Sequence, residues 1–298
     1  VYPDTVEVTT DLVTGLLRQQ APALLDGRAL APFAHGWDNE ILALGDDLLV
    51  RCPRRALAGD LVRHEQEVLP LLAPRLPVAV PDIVHAGRPQ GDYPWHWSVV
   101  RHLPGTVALD VVVADRAPFA PQLARALTAL HQPVAVGEHP PTNAYRGVPL
   151  ADREDATREA IAALASRPIH LPHGREVDAG EVTRRWESWS SAPAWGGPPV
   201  WVHGDVHAGN VLLDPVALID FGDVTSGDPA CDLAAAFLLF DAKGADDFIA
   251  EVQAVRPHDD ATWTRARAWA LRLALAIGLG PQGRLRDECG RVLDDLLT

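Results

Sequence analysis

The chain has 298 residues, 47% hydrophobic and 22% charged, enough to bury a sizeable core and to exclude intrinsic disorder. Its 40 Asp and Glu outnumber 26 Lys and Arg for a net charge of −14, which argues against a nucleic-acid partner and favours a cationic ligand. Three scattered cysteines, Cys52, Cys231 and Cys289, fit a reducing, cytoplasmic setting, and the longest apolar stretch, Ala268 to Gly280, is interrupted by Arg272, so no membrane partner is expected.

No signal peptide is visible, and the missing Met suggests a trimmed start. Thr9-Thr10-Asp11 before Leu12, Val13, Leu16 and Leu17 predicts a capped helix that Ala21-Pro22 interrupts. From Ala29 to Cys52 short extended runs flank Gly45-Asp46-Asp47 as in a hairpin, which predicts a small antiparallel sheet. Ala56 to Ala73 has helical period until Pro70 and Pro74 close it, and two further extended runs, Asp82 to Ala86 and Trp95 to Leu103, end at Pro104-Gly105. Beyond that break the period turns helical, so the expected domains are residues 1–103, ending in a hinge, and 104–298. In the second, Gln132 to Pro149 reads as a loop and helices are expected at Asp152 to Ser166 and Asp178 to Trp189. Strand-like Val200 to Val202, Val211 to Leu213 and Val216 to Ile219 then hold polar loops, and helices fill the rest.

Reactive residues concentrate in His203-Gly-Asp-Val-His-Ala-Gly-Asn210, Leu218-Ile-Asp-Phe-Gly-Asp223 and Gly227-Asp-Pro-Ala-Cys-Asp232. With Asp205 opening a turn, Asn210 ending it and Asp220 closing the neighbouring strand, three oxygen-bearing side chains converge. An amide and a carboxylate suit Mg²⁺, and a further carboxylate can accept a hydroxyl proton. Blander readings exist: Asp220 as a turn residue, Asp228 before Pro229 as a helix N-cap, and His207 as an incidental loop residue. An iron site from His203, Asp205 and His258 has acceptable spacing but belongs to folds of many short strands. A zinc helix on His203 and His207 is broken by Gly204 and Gly209.

The order His-x-Asp-x-x-x-x-Asn, then Ile-Asp-Phe-Gly, resembles the catalytic and metal loops of the aminoglycoside and macrolide phosphotransferase family, which is distantly kinase-like. The resemblance covers most of the chain. It implies a two-lobed α+β protein-kinase-like fold, with a small antiparallel-sheet N-lobe and a larger, mainly helical C-lobe. It further implies Asp205 as catalytic base, Asn210 and Asp220 as Mg²⁺ ligands, His203 and Asp228 as loop braces, and ATP or GTP as phosphoryl donor.

A kinase-like enzyme needs groups over the triphosphate, a cation on the phosphates, a carboxylate holding that cation, and a hinge for the base. The turn His35-Gly-Trp-Asp-Asn39 offers Gly36 and Asn39 for the phosphates, or is an ordinary hairpin turn. Where the resemblance calls for lysine, the strand Leu48 to Cys52 offers Arg51, and the one lysine, Lys243, is far downstream. An Arg51–Glu65 pair is therefore expected, Glu65 matching the family's helix glutamate by its place before Leu69-Pro70, with Glu67 as competitor. Val99 to Leu103, with Arg101, His102 and Leu103, is the expected hinge.

For the acceptor, Asp241, Asp246, Asp247, Glu251, Asp259 and Asp260 make one region acidic, or are solvated helix faces. Trp263 and Trp269 line an apolar pocket or pack the core, and Asp223 and Asp232 either brace their loops or touch the ligand. Val50 to Arg55, Leu69 to Pro74 and Leu76 to Pro81 look more like macrolide than aminoglycoside kinases. The expected function is phosphorylation of a hydroxyl on a small amine-bearing antibiotic, a macrolide first, and no protein partner is evident. The alternatives are an aminoglycoside kinase, a metabolic kinase for an amino alcohol or sugar, and a catalytically silent nucleotide-binding regulator.

Overall fold

Alternating apolar residues in short runs build the first part of the chain into a sheet, and helical period builds the rest into a bundle, in a computed structural model that describes residues 5–36, 38–281 and 283–298. Two units separate by Cα proximity. The first comprises Val1–Arg75, Ala79–Pro104 and Ile219–Asp223, and the second Leu76–Val78, Gly105–Leu218 and Val224–Thr298. Residues 219–223 thus pack with the first unit although the sequence places them in the second lobe. The reason is local: the Phe221 N–H donates to Glu65 at 2.8 Å, and a Cβ on Gly222 would meet Leu61 Cβ at 2.8 Å.

In the first unit, helix α1 (Thr10–Gln20) is capped by Thr9, whose hydroxyl accepts from the Leu12 N–H at 3.2 Å. Strands β1 (Leu30–His35), β2 (Asn39–Leu44) and β3 (Leu48–Pro53), then helix α2 (Ala56–Leu72) and strands β4 (Ile83–Gly87) and β5 (Trp97–Arg101) follow. The strands pair antiparallel in the order β1-β2-β3-β5-β4. One sheet face buries Leu42, Leu44, Leu48 and Val50 against Val13, Leu16 and Leu17 of α1. Pro70 lies inside α2 and does not close it, because the buried Val68, Leu69 and Leu72 hold the last turn in place.

The main segment of the second unit begins at Gly105, whose φ of 124° makes the break expected at Pro104-Gly105. Strand β6 (Thr106–Val107), helices α3 (Ala120–Leu130), α4 (Glu154–Ala163) and α5 (Ala179–Ser190), and strands β7 (Val200–Val202), β8 (Val211–Leu213), β9 (Ala217–Leu218) and β10 (Thr225–Gly227) lead to helices α6 (Ala230–Leu233), α7 (Ala235–Leu239), α8 (Ala242–Val255), α9 (Asp260–Gly278) and α10 (Arg284–Leu297). The helix expected at Asp152 to Ser166 starts instead as a 3₁₀ turn, Leu150–Arg153. Helix α9 is the axis of this unit, with Trp263, Ala266, Trp269, Leu273 and Leu275 all buried. The strands pair β7 with β10 and β6-β8-β9, which sets two loops, 203–210 and 214–216, at the strand ends. Among the described residues no helix is long and apolar enough to cross a membrane.

Candidate active site

Within the second unit, Asp205 sits in the loop that leaves β7, its carboxylate one-fifth exposed. Gly204, at φ 86°, takes the left-handed turn that starts this loop. Both carboxylate oxygens of Asp205 are engaged. Oδ1 accepts from Arg146 Nη2 at 2.8 Å, and Oδ2 accepts from Asn210 Nδ2 at 3.0 Å and lies 3.3 Å from His207 Nε2. Burial alone would raise the Asp205 pKa, but the charges of His207 and Arg146 reverse this and hold it well below the usual carboxylate range. A base that stays ionised and oriented is the result.

The loop is braced from α6. Asp232, fully buried, accepts from the N–H groups of His203 at 2.7 Å and Gly204 at 2.8 Å, and from His131 Nε2 at 3.0 Å. Burial works against its charge, and these donors with His131 and His203 keep its pKa below the ordinary value. The alternative in which Asp232 touches a substrate is thereby corrected, since its oxygens are spent on the loop. Buried His203 accepts the Asp205 N–H at 3.3 Å. Asp228 accepts from the Ala230 N–H at 3.0 Å and holds Arg265 of α9 at 2.6 Å, so it braces the start of α6 from the residue before the N-cap, which falls on Pro229 and not on Asp228 as the cap reading expected.

In the first unit, Arg51 of β3 spans two carboxylates. Nη1 lies 3.2 and 3.0 Å from the Glu65 oxygens, and Nη2 lies 2.6 Å from Asp220 Oδ1. Burial would lower the Arg51 pKa, but Asp220 and Glu65 raise it above its already high value. Asp220 adopts φ 63°, a conformation that L residues rarely take, and this turn aims its carboxylate at Arg51. The competitor Glu67 pairs with Arg63 at 2.9 Å on an exposed face.

Other expected contacts fall elsewhere. The Gly36 N–H donates to Asn39 O at 2.9 Å, closing a hairpin, so it is not a phosphate donor, and Trp37 of the same turn lies outside the described residues. Buried Asn39 can accept from Arg51 Nε and Nη2 at 3.2 Å when its amide oxygen faces them. At the hinge, the N–H groups of Arg101 and His102 donate to Asp82 O and Asp47 O, and the Arg101 side chain pairs with Asp82 at 3.0 Å. Those two residues are committed at the end of β5, and Leu103 follows them. Asp223 ends the 3₁₀ turn Phe221–Asp223, half-buried. Trp269 is fully buried and Trp263 is 7% exposed, which makes them core residues of α9 and not a substrate wall. Asp241 caps α8 through the Gly244 N–H at 2.9 Å.

Sequence reasoning missed Arg146 and dismissed His207. Arg146 lies 59 residues before Asp205 in a loop without periodicity, and its placement depends on a turn in which Asn143 Oδ1 accepts the N–H groups of Tyr145 and Arg146. Asn143-Ala-Tyr-Arg is the one local signal. The iron alternative fails: among the described residues no three His, Cys, Asp or Glu side chains are grouped to hold a metal, and the His258 ring stacks toward Trp195 at 6.3 Å.

The pattern of the phosphotransferase enzyme family matches residues 29–269. Among solved structures, the GDP complex of wild-type aminoglycoside 2'-phosphotransferase-IIIa is similar with a TM-score of 0.69 and 19% identity, over 97% of this chain and 99% of that one. Macrolide 2'-phosphotransferase MphH from Brachybacterium faecium gives 0.60 and 21% over 91% and 90%. The streptomycin–ATP ternary complex of APH(2")-IIa gives 0.58 and 16% over 92% and 91%. No protein of curated function matches the sequence. A sheet-based first unit, a helical second unit, and a sequence match that runs from β1 into α9 together place the chain in the phosphotransferase enzyme family.

Proposed function

We propose that the protein transfers the γ-phosphoryl group of ATP or GTP to a hydroxyl of a small antibiotic in the cytoplasm, with Asp205 as the base. The observation that carries this reading is the Asp205 carboxylate, ionised and fixed by Arg146 and Asn210 in a loop that Asp232 braces. Asp205 orients the hydroxyl and accepts its proton as the oxygen attacks phosphorus. Arg51, fixed by Glu65, holds the phosphates, and Leu103 with the hinge carbonyls meets the base. The complexes of the relatives with GDP and with ATP support a nucleoside triphosphate as donor.

The donor set suits Mg²⁺. Asn210 spends its amide nitrogen on Asp205, so its amide oxygen is the atom that can meet a cation, and Asp220 gives Arg51 one carboxylate oxygen and keeps the other. Mg²⁺ bound by these oxygens would neutralise charge on the phosphates.

A macrolide is the acceptor we put first. A polyamine needs several unspent carboxylates, and of the six in the acidic region Asp241 and Asp259 cap helices, Asp247 pairs with Lys243 at 2.5 Å and Glu251 pairs with Arg125 at 2.8 Å, which leaves Asp246 and Asp260. The test is nucleotide consumption with Mg²⁺, ATP and GTP offered separately, across macrolides, aminoglycosides and amino alcohols. Macrolide-dependent turnover supports the reading, an aminoglycoside or metabolite replaces the acceptor, and nucleotide binding without turnover of any acceptor supports the silent regulator.

A further inference from the structure

Three buried arginines in this acidic chain are paired with carboxylates. Arg51 has Glu65 and Asp220, Arg116 has Glu288 at 2.5 Å, and Arg265 has Asp228 at 2.6 Å. Two others break the pattern. Arg153, at the end of the 3₁₀ turn before α4, and Arg272, on α9, are each only 8% exposed, and among the described residues neither has a carboxylate within ion-pair distance. Arg272 Nε and Nη1 and Arg153 Nε are buried without a hydrogen-bond acceptor. What holds the two side chains is weak: Arg153 Nη1 donates to Ala144 O at 3.2 Å with its guanidinium 5.1 Å from the Tyr145 ring, and Arg272 lies 5.8 Å from the Trp269 ring.

Helix α9 packs against the 3₁₀ turn that carries Arg153, and Arg153 donates to Ala144, two residues before Arg146, so three guanidinium groups share one region. Burial, and then the charges of Arg153 and Arg146, lower the Arg272 pKa to about 10. Arg146 belongs to the same loop as Ala144 and Tyr145 and carries that region to Asp205. An uncompensated buried guanidinium is destabilising. Planar donors with open N–H groups are also the usual holders of tetrahedral and planar oxyanions.

We propose that Arg153 and Arg272, with Arg146 at the rim, form a site for a phosphate or carboxylate group beside Asp205. The site stands on the second unit alone; only its link to the acceptor rests on phosphotransfer at Asp205. Two sources carry this chemistry, a free phosphate ion or an anionic group on the acceptor itself.

Thermal unfolding of the full chain is followed while inorganic phosphate is titrated against chloride at equal ionic strength. Wild type is expected to gain Tm with phosphate. Arg272→Leu and Arg153→Leu are expected to melt above wild type in chloride, because an unpaired buried charge is gone, and to bind phosphate at least about tenfold more weakly. Arg125→Ala, at an exposed arginine paired with Glu251, keeps the phosphate response. A wild type indifferent to phosphate overturns the proposal whether or not the variants fold. Equal responses in wild type and both leucine variants, or a response lost with Arg125→Ala, overturn it too.

Turnover is then compared between acceptors that differ by one anionic group, glycerate and glycerol first. A preference of about tenfold or more for the anionic member that disappears in Arg272→Leu assigns the site to the acceptor. No such preference, with the phosphate response intact, assigns it to free phosphate. Failure of every acceptor to turn over sinks the phosphotransfer reading and leaves the phosphate titration to decide the site.

Discussion

Asp205 and Arg51 are the residues on which the chemistry depends, and each is fixed by partners that make its replacement informative. Asp205→Asn keeps the bond to Arg146 but removes the proton acceptor. It is expected to lower kcat by on the order of 10³-fold with the nucleotide KM unchanged, measured by steady-state kinetics. A variant within tenfold of wild-type kcat would show that the base is elsewhere. Arg51→Ala leaves Glu65, 1% exposed, without its cation. The expected loss of stability is about 3–5 kcal/mol by urea unfolding, together with a raised nucleotide KM. Unchanged kinetics and stability would discard both of its roles. Arg51 and its pair with Glu65 were expected through the family resemblance, which calls for a strand cation where the sequence offers Arg51 and for a helix glutamate that Glu65 matches by its place before Leu69-Pro70. Its second partner, Asp220, was not readable as such. That contact joins residues 169 apart and depends on the left-handed turn at Asp220.

At the scale of elements, loops are held by single close approaches and caps. A Cβ on Gly227 would meet Gly147 O at 1.8 Å, so β10 and the loop carrying Arg146 come together only because position 227 is glycine. Gly227→Ala is expected to displace that loop and lower kcat far more than it lowers nucleotide affinity, measured by kinetics beside equilibrium binding. An equal effect on both would deny the link to Arg146. Asp259 caps α9, accepting from the Thr262 N–H at 2.8 Å and its hydroxyl at 2.6 Å. Asp259→Ala should cost about 1 kcal/mol in chemical denaturation, and no cost would mean the cap is dispensable in this packed helix. Periodicity found α1, α2 and α5 because each buries one stripe of apolar side chains, whereas α9, buried on nearly all sides, was expected only as one of the helices that fill the rest. The expected span of α2, Ala56 to Ala73, holds, but Pro70 lies inside the helix and does not close it, since tertiary packing of Leu69 and Leu72 outweighs one missing hydrogen bond. Periodicity also overlooked the 3₁₀ turn that places Arg153, a feature with no hydrophobic signature.

Across the whole molecule, four histidines carry a shared pH dependence. His64, His85, His96 and His258 are lowered, in each case first by burial, and His258 falls to about 4 with His131 and Arg256 adding repulsion. In the folded chain they stay neutral where the unfolded chain takes up protons near pH 6.5. Stability is therefore full above about pH 6.5 and falls as the pH drops toward 4, which unfolding midpoints across that window will measure. His258→Gln should flatten the fall, and a midpoint that rises on acidification would contradict the assignment. The sequence by itself determined the two-part plan, the order of Asp205, Asn210 and Asp220, and the family, because local period and short ordered motifs are written within a few turns of chain. Only the tertiary structure decided what surrounds those residues: Arg146 on Asp205, Asp232 under the loop, tryptophans turned into the core, and Arg153 and Arg272 buried without carboxylates. Such contacts join residues far apart in sequence, and burial, charge pairing and desolvation arise only when the packed chain brings them together.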